Sequence, residues 1–280
     1  MIDTHAHIHD SQFDVDREMM LRRASEAGVS RIITVGTSVA ESVLAVEAAK
    51  KYENVFATVA VHPQEFNRKE LGMKNKELVG EMMRELRELV VKNRERIVAV
   101  GECGLDYHTF DGVAVTEEQK VFQREGFLMH IEMAREFSLP IVIHCRDAYD
   151  GVFEILEAES SELKACILHC YQGDLDMTQK LLAFGEKVFF SFAGNITYPV
   201  KKKLEGTKED IRESVKIVPP DRILTETDCP YLAPQKYRGT RNEPAYVVEV
   251  AQKIAEIKNT SLEEVERVTE ENARRCFSFC

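Results

Sequence analysis

No apolar run in this 280-residue sequence approaches the ~18 residues that a membrane-spanning helix needs. No cluster of Lys and Arg flanks an apolar stretch as a surface anchor requires. Basic charge is short as well: 37 Lys and Arg stand against 48 Asp and Glu, a formal net charge of −11 with His neutral. A protein that coats phosphates non-specifically carries the opposite sign, so any contact with nucleic acid has to be local. No glycine-rich loop follows an apolar run in the pattern that cradles nucleotide phosphates. No low-complexity linker breaks the chain, and no charged-then-apolar leader opens it, since Met1-Ile2-Asp3-Thr4-His5 passes straight into polar residues. Seven cysteines, an odd number at irregular spacing, do not make a disulfide framework. These absences lead to the expectation of a cytoplasmic chain with reduced thiols and no membrane association. What is present, 44% hydrophobic and 30% charged residues, is the composition of a globular protein with a real core. One domain over residues 1–280 is the economical expectation.

Short β-branched apolar runs recur with longer amphipathic stretches between them, the mark of repeated βα units. The runs predict strands at Met1 to Ala6, Arg31 to Val35, Val55 to Val61, Ile97 to Glu102, Ile141 to His144, Cys166 to His169, Val188 to Ser191 and Ile223 to Glu226. Helical patterns lie between them at Val15 to Ala27, Glu41 to Lys51, Lys76 to Lys92, Glu117 to Phe137, Gly151 to Ala158, Met177 to Phe184 and Lys208 to Val215. Two more follow the last strand, Glu243 to Ile257 and Leu262 to Arg275. The second opens with Ser261 and, three residues on, Glu264, a capping-box pattern. Eight strands alternating with helices fit a (β/α)8 barrel of the TIM class, an α/β fold, better than an open doubly wound sheet.

The residues that carry chemistry fall at the C-terminal ends of these strands, where a barrel places its active site. Side chains alternate along a strand, so His5 and His7 emerge on one face about 7 Å apart and can grip one metal ion. Glu102, His144 and His169 end three further strands, and Asp228 follows the eighth. Four His and two carboxylates exceed the needs of one tetrahedral ion, which favours a binuclear site. Mixed imidazole and carboxylate donors admit zinc, manganese, iron or magnesium, and two imidazoles per ion favour a transition metal.

Asp3-Thr4-His5-Ala6-His7, Gly101-Glu102-Cys103-Gly104-Leu105-Asp106-Tyr107, His144-Cys145-Arg146-Asp147-Ala148, His169-Cys170-Tyr171-Gln172-Gly173 and Glu226-Thr227-Asp228-Cys229-Pro230-Tyr231-Leu232 together resemble the TatD family of metal-dependent deoxyribonucleases, within the amidohydrolase-like TIM barrels. The likeness runs end to end and takes in Arg238-Gly239-Thr240-Arg241-Asn242-Glu243-Pro244 and Glu271-Asn272-Ala273-Arg274-Arg275. It implies a divalent-metal hydrolase acting on phosphodiester bonds in DNA. One ion would be held by His5, His7 and Asp228, the other by His144 and His169, with Glu102 as the bridge. The chain departs from relatives at Cys145, Cys229 and Ala6 without losing a ligand.

Within that frame Asp228 is the expected base for a metal-bound water. Arg146, whose planar fork suits phosphate, is the expected substrate contact, or else the ion-pair partner of Asp147 or another carboxylate. His62, in Val61-His62-Pro63, orients substrate or protonates the leaving group, or is a hydrogen-bonded loop histidine. Glu226 either accepts a ring N–H from a ligating His or forms a surface salt bridge. Asn195, Tyr198 and Arg238 to Asn242 lie in loops able to position a strand, or are simply solvated. Cys103, Cys145, Cys170 and Cys229, each directly after an expected ligand, are expected as small buried packing residues, with thiolate ligation the weaker alternative because the imidazole and carboxylate set is already sufficient. Cys276 and Cys280 are too poorly placed on a helix to pair. The expected reaction is 3'-5' exonucleolytic attack on single-stranded or frayed DNA ends. Its rivals are small-molecule amide or lactone hydrolysis on the same metals and a non-enzymatic binding module.

Overall fold

A computed structural model of the chain describes residues 1–67, 76–199, 210–277 and 279. The strands are β1 Ile2–Ala6, β2 Arg31–Val35, β3 Val55–Val59, β4 Ile97–Asp106, β5 Ile141–Arg146, β6 Cys166–Leu168, β7 Val188–Phe192 and β8 Ile223–Thr225. The helices are α1 Arg17–Glu26, α2 Val39–Lys51, α3 Lys76–Lys92, α4 Glu117–Glu136, α5 Tyr149–Glu159, α6 Leu175–Leu182, α7 Ile211–Ile217, α8 Val247–Lys258 and α9 Leu262–Cys276. The strands follow one another in chain order, β1 to β8, in one eight-stranded sheet. Every pairing described between them is parallel. This is the (β/α)8 architecture that the periodicity predicts. No helix among the described residues is long and apolar enough to cross a membrane.

Helix starts follow from short polar side chains that satisfy orphan N–H groups. Ser38 accepts from the Glu41 N–H, Asp174 from Met177 and Ser261 from Glu264. Thr116 and Gln119 complete a capping box at α4. The pattern expected from Glu243 to Ile257 divides: Pro244–Tyr246 form a single 3-10 turn before α8 begins at Val247. Lys208 and Glu209, expected to open the seventh helix, and Cys280 lie outside the described residues.

The chain forms two compact units, one of residues 1–34 and 170–275, the other of residues 35–169 and 276–280. The first holds β1, most of β2, β7 and β8 with α1 and α6 to α9; the second holds β3 to β6 with α2 to α5. Strands of both are buried nearly throughout, as parallel strands covered on two faces must be.

Strand β4 runs four residues beyond its expected end at Glu102. Its register against β5 slips between Val100 and Cys103, then continues with Gly104 opposite His144 and Asp106 opposite Arg146. Glycine makes this possible at two points. A Cβ on Gly104 would sit 2.1 Å from the His144 carbonyl oxygen, and one on Gly101 would sit 2.5 Å from Cβ of Val142. Both take φ values, 153° at Gly101 and 140° at Gly104, that suit only glycine. Glu102 therefore sits inside a strand, at a slip in its register.

Candidate metal centre

In the unit built on β1, β7 and β8, His5 lies in the strand and His7 one residue past its end, with ring centroids 5.2 Å apart. Asp228 follows β8 by three residues and is tied to β1 by the main chain on either side. Its N–H donates to the His5 carbonyl at 2.9 Å, and the His7 N–H donates to the Cys229 carbonyl at 2.8 Å. Below this link lies Asp3, fully buried, which accepts from the Thr227 hydroxyl at 2.6 Å and the Thr227 N–H at 3.0 Å. Burial pushes the Asp3 carboxyl up to about 8, against the pull of those hydrogen bonds. Buried Asn242 donates to the carbonyls of Thr227 and Tyr231, bracing the turn that presents Asp228.

Oδ1 of Asp228 lies 3.6 Å from Nε2 of His5 and 3.5 Å from Nε2 of His7. An ion with bonds of ~2.1 Å sets tetrahedral donors ~3.4 Å apart. The three donors therefore match the span of one such ion, and two neutral imidazoles with one carboxylate are its usual chemistry.

In the unit of β3 to β6, Glu102 is the hub. Its Oε1 lies 2.7 Å from Nδ1 of His144, 2.8 Å from Nε2 of His169 and 3.5 Å from Nε2 of His62. The two nearer imidazole nitrogens are 3.3 Å from each other. Burial alone would raise the Glu102 carboxyl. The charges of His169 and His62 and the hydrogen bonds from His144 and His169 outweigh it and hold the group well below the usual range. For His144 burial pulls downward, and its hydrogen bonds to Asp106 and Glu102 carry the net shift upward. A buried carboxylate ringed by imidazoles is the arrangement of a cation site, and these donors fit a divalent ion.

Asp106 is the residue that the pattern reading missed. Its Oδ2 lies 3.2 Å from Nε2 of His144, on the ring edge opposite Glu102. Gln64 donates to the same oxygen at 2.8 Å, and the His108 N–H donates to Oδ1 at 3.0 Å. Gln123 holds the Asp106 main chain, accepting from its N–H and donating to its carbonyl. The signal was in the sequence: four residues past Glu102 is an even spacing along a strand, but only once the strand is known to continue.

The sequence matches the family described as TatD related DNase over residues 2–278. The chain belongs to that family. A Bacillus subtilis (strain 168) relative, named as the uncharacterized metal-dependent hydrolase YabD, is 37% identical over 277 residues, covering 99% of this chain and 98% of its own. The 3'-5' ssDNA/RNA exonuclease TatD of Erwinia tasmaniensis is 32% identical over 284 residues, covering 100% of both chains. The crystal structure of YJJV, a TatD homolog from Escherichia coli K12, matches with a TM-score of 0.84 at 24% identity, over 99% of this chain and 97% of that one. Membership bears out both the resemblance and the (β/α)8 fold, and makes the chain a metal-dependent hydrolase.

The other expected site residues of this TatD-family chain separate by environment. His62 stands with Glu102 and His144 as a third metal-competent group rather than apart from the ligand cluster. Its Nδ1 accepts the Gln64 N–H at 3.2 Å, which directs Nε2 at Glu102. Glu226 is fully buried, so it is no surface salt bridge; it accepts from the Cys170 N–H at 2.7 Å and the Ser191 hydroxyl at 2.5 Å. Asp147 pairs with His108 at 2.6 Å, and Arg146 lies instead over the Phe110 ring.

Arg241 is bound to Asp16 by two 2.8 Å hydrogen bonds and, like Asn242, braces the fold. Arg238 lies on the Tyr198 ring and donates to its hydroxyl at 2.8 Å. The Asn195 amide faces the Cys170 sulfur at 3.9 Å. Cys103 and Cys229 are buried as expected, whereas Cys145 and Cys170 are half-buried. Cys170 lies past the end of β6 in a left-handed turn of φ 41°, where strand alternation no longer turns it inward.

Proposed function

We propose that this TatD-family hydrolase is a deoxyribonuclease that removes nucleotides from the 3' end of single-stranded or frayed DNA. It uses two divalent ions, zinc or manganese, one on His5, His7 and Asp228 and the other on His144, His169 and Glu102. The observation that carries this reading is the pair of compact groups, His5, His7 and Asp228 in one and Glu102 with His144 and His169 in the other, in a chain aligned end to end with a 3'-5' ssDNA/RNA exonuclease. When bound, divalent ions lower the pKa of a water and neutralise charge developing on phosphate oxygens. Asp228 accepts the proton of the attacking water, its carboxylate being oriented by the His5 and Cys229 main-chain links. Glu102, kept ionised by the surrounding imidazoles, supplies the negative charge that a cation needs in a buried setting. Arg146 donates to a non-bridging phosphate oxygen from the end of β5. His62, with Nε2 directed at Glu102, orients the substrate beside that carboxylate.

Amide or lactone hydrolysis has no observation of its own to favour it. The deciding experiment digests 3'-labelled and 5'-labelled single-stranded DNA with magnesium, manganese or zinc added, beside an amide and lactone panel. A 5'-labelled ladder shortening from the 3' end, absent in folded Glu102→Ala and Asp228→Ala, is the expected result. Turnover of the amide or lactone panel with intact DNA would replace the proposed substrate.

A further inference from the structure

We propose that Phe110 and Arg146 form a stacking subsite for an unpaired nucleobase of the substrate strand, with the guanidinium edge meeting the adjoining phosphate. This rests on the nuclease reading above and extends it to how the strand is held. Arg146 ends β5 two residues after His144, so the two side chains leave the same face about 6.6 Å apart along the strand. The Tyr107 N–H donates to the Arg146 carbonyl at 2.9 Å, which fixes the start of the β4–α4 connection against this strand end.

Beyond Tyr107 the chain closes a two-residue hairpin. Phe110 and Val113 exchange main-chain hydrogen bonds of 3.2 and 2.8 Å around Asp111 and Gly112, whose φ values of 49° and 77° belong to the tight turn that suits hairpins. This closed tip holds an aromatic ring in the open, with Phe110 39% exposed. The Arg146 guanidinium carbon lies 5.1 Å from the ring centroid. The His108 ring stands edge-on to the same phenyl, 5.0 Å away at 84°.

Asp147, the carboxylate next in sequence to Arg146, is bound to His108 at 2.6 Å. Among the described residues Arg146 therefore has an aromatic face for a partner and no carboxylate. A phenyl ring with a guanidinium laid over it is a plate on which a base can stack, while the N–H edge of the guanidinium suits phosphate. Stacking accepts every base, since each has a π face, and it selects unpaired nucleotides because bases inside a duplex have both faces covered.

The test measures binding by fluorescence anisotropy in metal-loaded protein. The ligands are a nuclease-resistant phosphorothioate octathymidylate and an abasic phosphorothioate octamer of equal charge. The proteins are wild type, Phe110→Ala, Phe110→Trp and Arg146→Lys. Wild type should prefer the octathymidylate roughly tenfold or more; Phe110→Ala should bring that ratio to about one, Phe110→Trp should keep it, and Arg146→Lys should lower it. A ratio of one in wild type, or a ratio unchanged by Phe110→Ala, overturns the subsite. Turnover of an ordinary octathymidylate is followed on the same samples. Base-dependent binding without hydrolysis refutes the nuclease reading and keeps the subsite, whereas hydrolysis without base dependence does the reverse.

Discussion

Each imidazole of the candidate metal centre has two nitrogens, and the residue facing the second decides how the first is presented. For His144 that residue is Asp106, 3.2 Å from Nε2 while Nδ1 faces Glu102 at 2.7 Å. Asp106 is itself fixed by Gln64 and by the His108 N–H. Removing the carboxylate frees the ring to rotate and to change tautomer, so Asp106→Ala should weaken metal binding about 10- to 100-fold, the range seen for such outer partners. Asp106→Asn, which still offers an acceptor oxygen, should lie between the variant and wild type. Calorimetric titration of manganese into metal-stripped protein checks this; unchanged affinity in folded Asp106→Ala would show that His144 needs no such partner.

Elements bring these residues to their places, and one helix does so through a titratable clamp. His130 of α4 accepts the Val61 N–H on Nε2 at 3.0 Å and donates from Nδ1 to the Gly126 carbonyl at 2.7 Å, joining the helix to the chain just past β3 and just before His62. The first of these requires the neutral ring, because a protonated Nε2 cannot accept the Val61 N–H. Burial pulls its pKa to about 4, opposed by the Gly126 carbonyl and assisted by Arg87 of α3. Because the folded pKa lies below the unfolded value of about 6.5, the unfolded chain binds the extra proton between them. The stability due to this group is present above pH ~6.5 and is lost as pH falls towards 4, by an amount on the order of 3 kcal/mol. Urea unfolding from pH 7.5 to 4.5 should therefore show a steeper decline for wild type than for His130→Gln, and parallel curves would contradict the assignment.

The elements themselves were largely legible. Arg31–Val35 and Lys76–Lys92 fall where periodicity puts them, because alternation and helical repeat are local properties. The end of β4 was not legible, since Gly101 and Gly104 interrupt the apolar run and only the close approach of β5 explains them. Asp106 and the part of His62 in the Glu102 cluster were hidden for the same reason: they depend on pairing between strands. Five of the six candidate ligands, His5, His7, His144, His169 and Asp228, stood out in the sequence because they lie at or near a strand end, a position that the eightfold repeat supplies, whereas Glu102 lies within β4. Asn242 reads as a loop residue in sequence, yet it is buried and braces the turn after β8, a role that only its carbonyl partners reveal.

At the scale of the whole molecule, a net charge of −11 and a nuclease assignment look opposed until charge is divided by place. Many surface cations are engaged with carboxylates, as in Arg267 with Glu264 and Glu271 and Arg274 with Glu270, and add little to a long-range field. Under the proposed function, attraction for phosphate comes from bound cations and from a few placed groups such as Arg146. Activity should therefore depend on the metal far more steeply than on ionic strength. The most direct test strips the protein of metal, returns manganese or zinc in steps, and measures bound metal and release of nucleotides from end-labelled single-stranded DNA on the same samples. Hydrolysis should be absent in the stripped protein and should rise with bound metal to a plateau at about two ions per chain. Undiminished hydrolysis by metal-free protein would contradict the account.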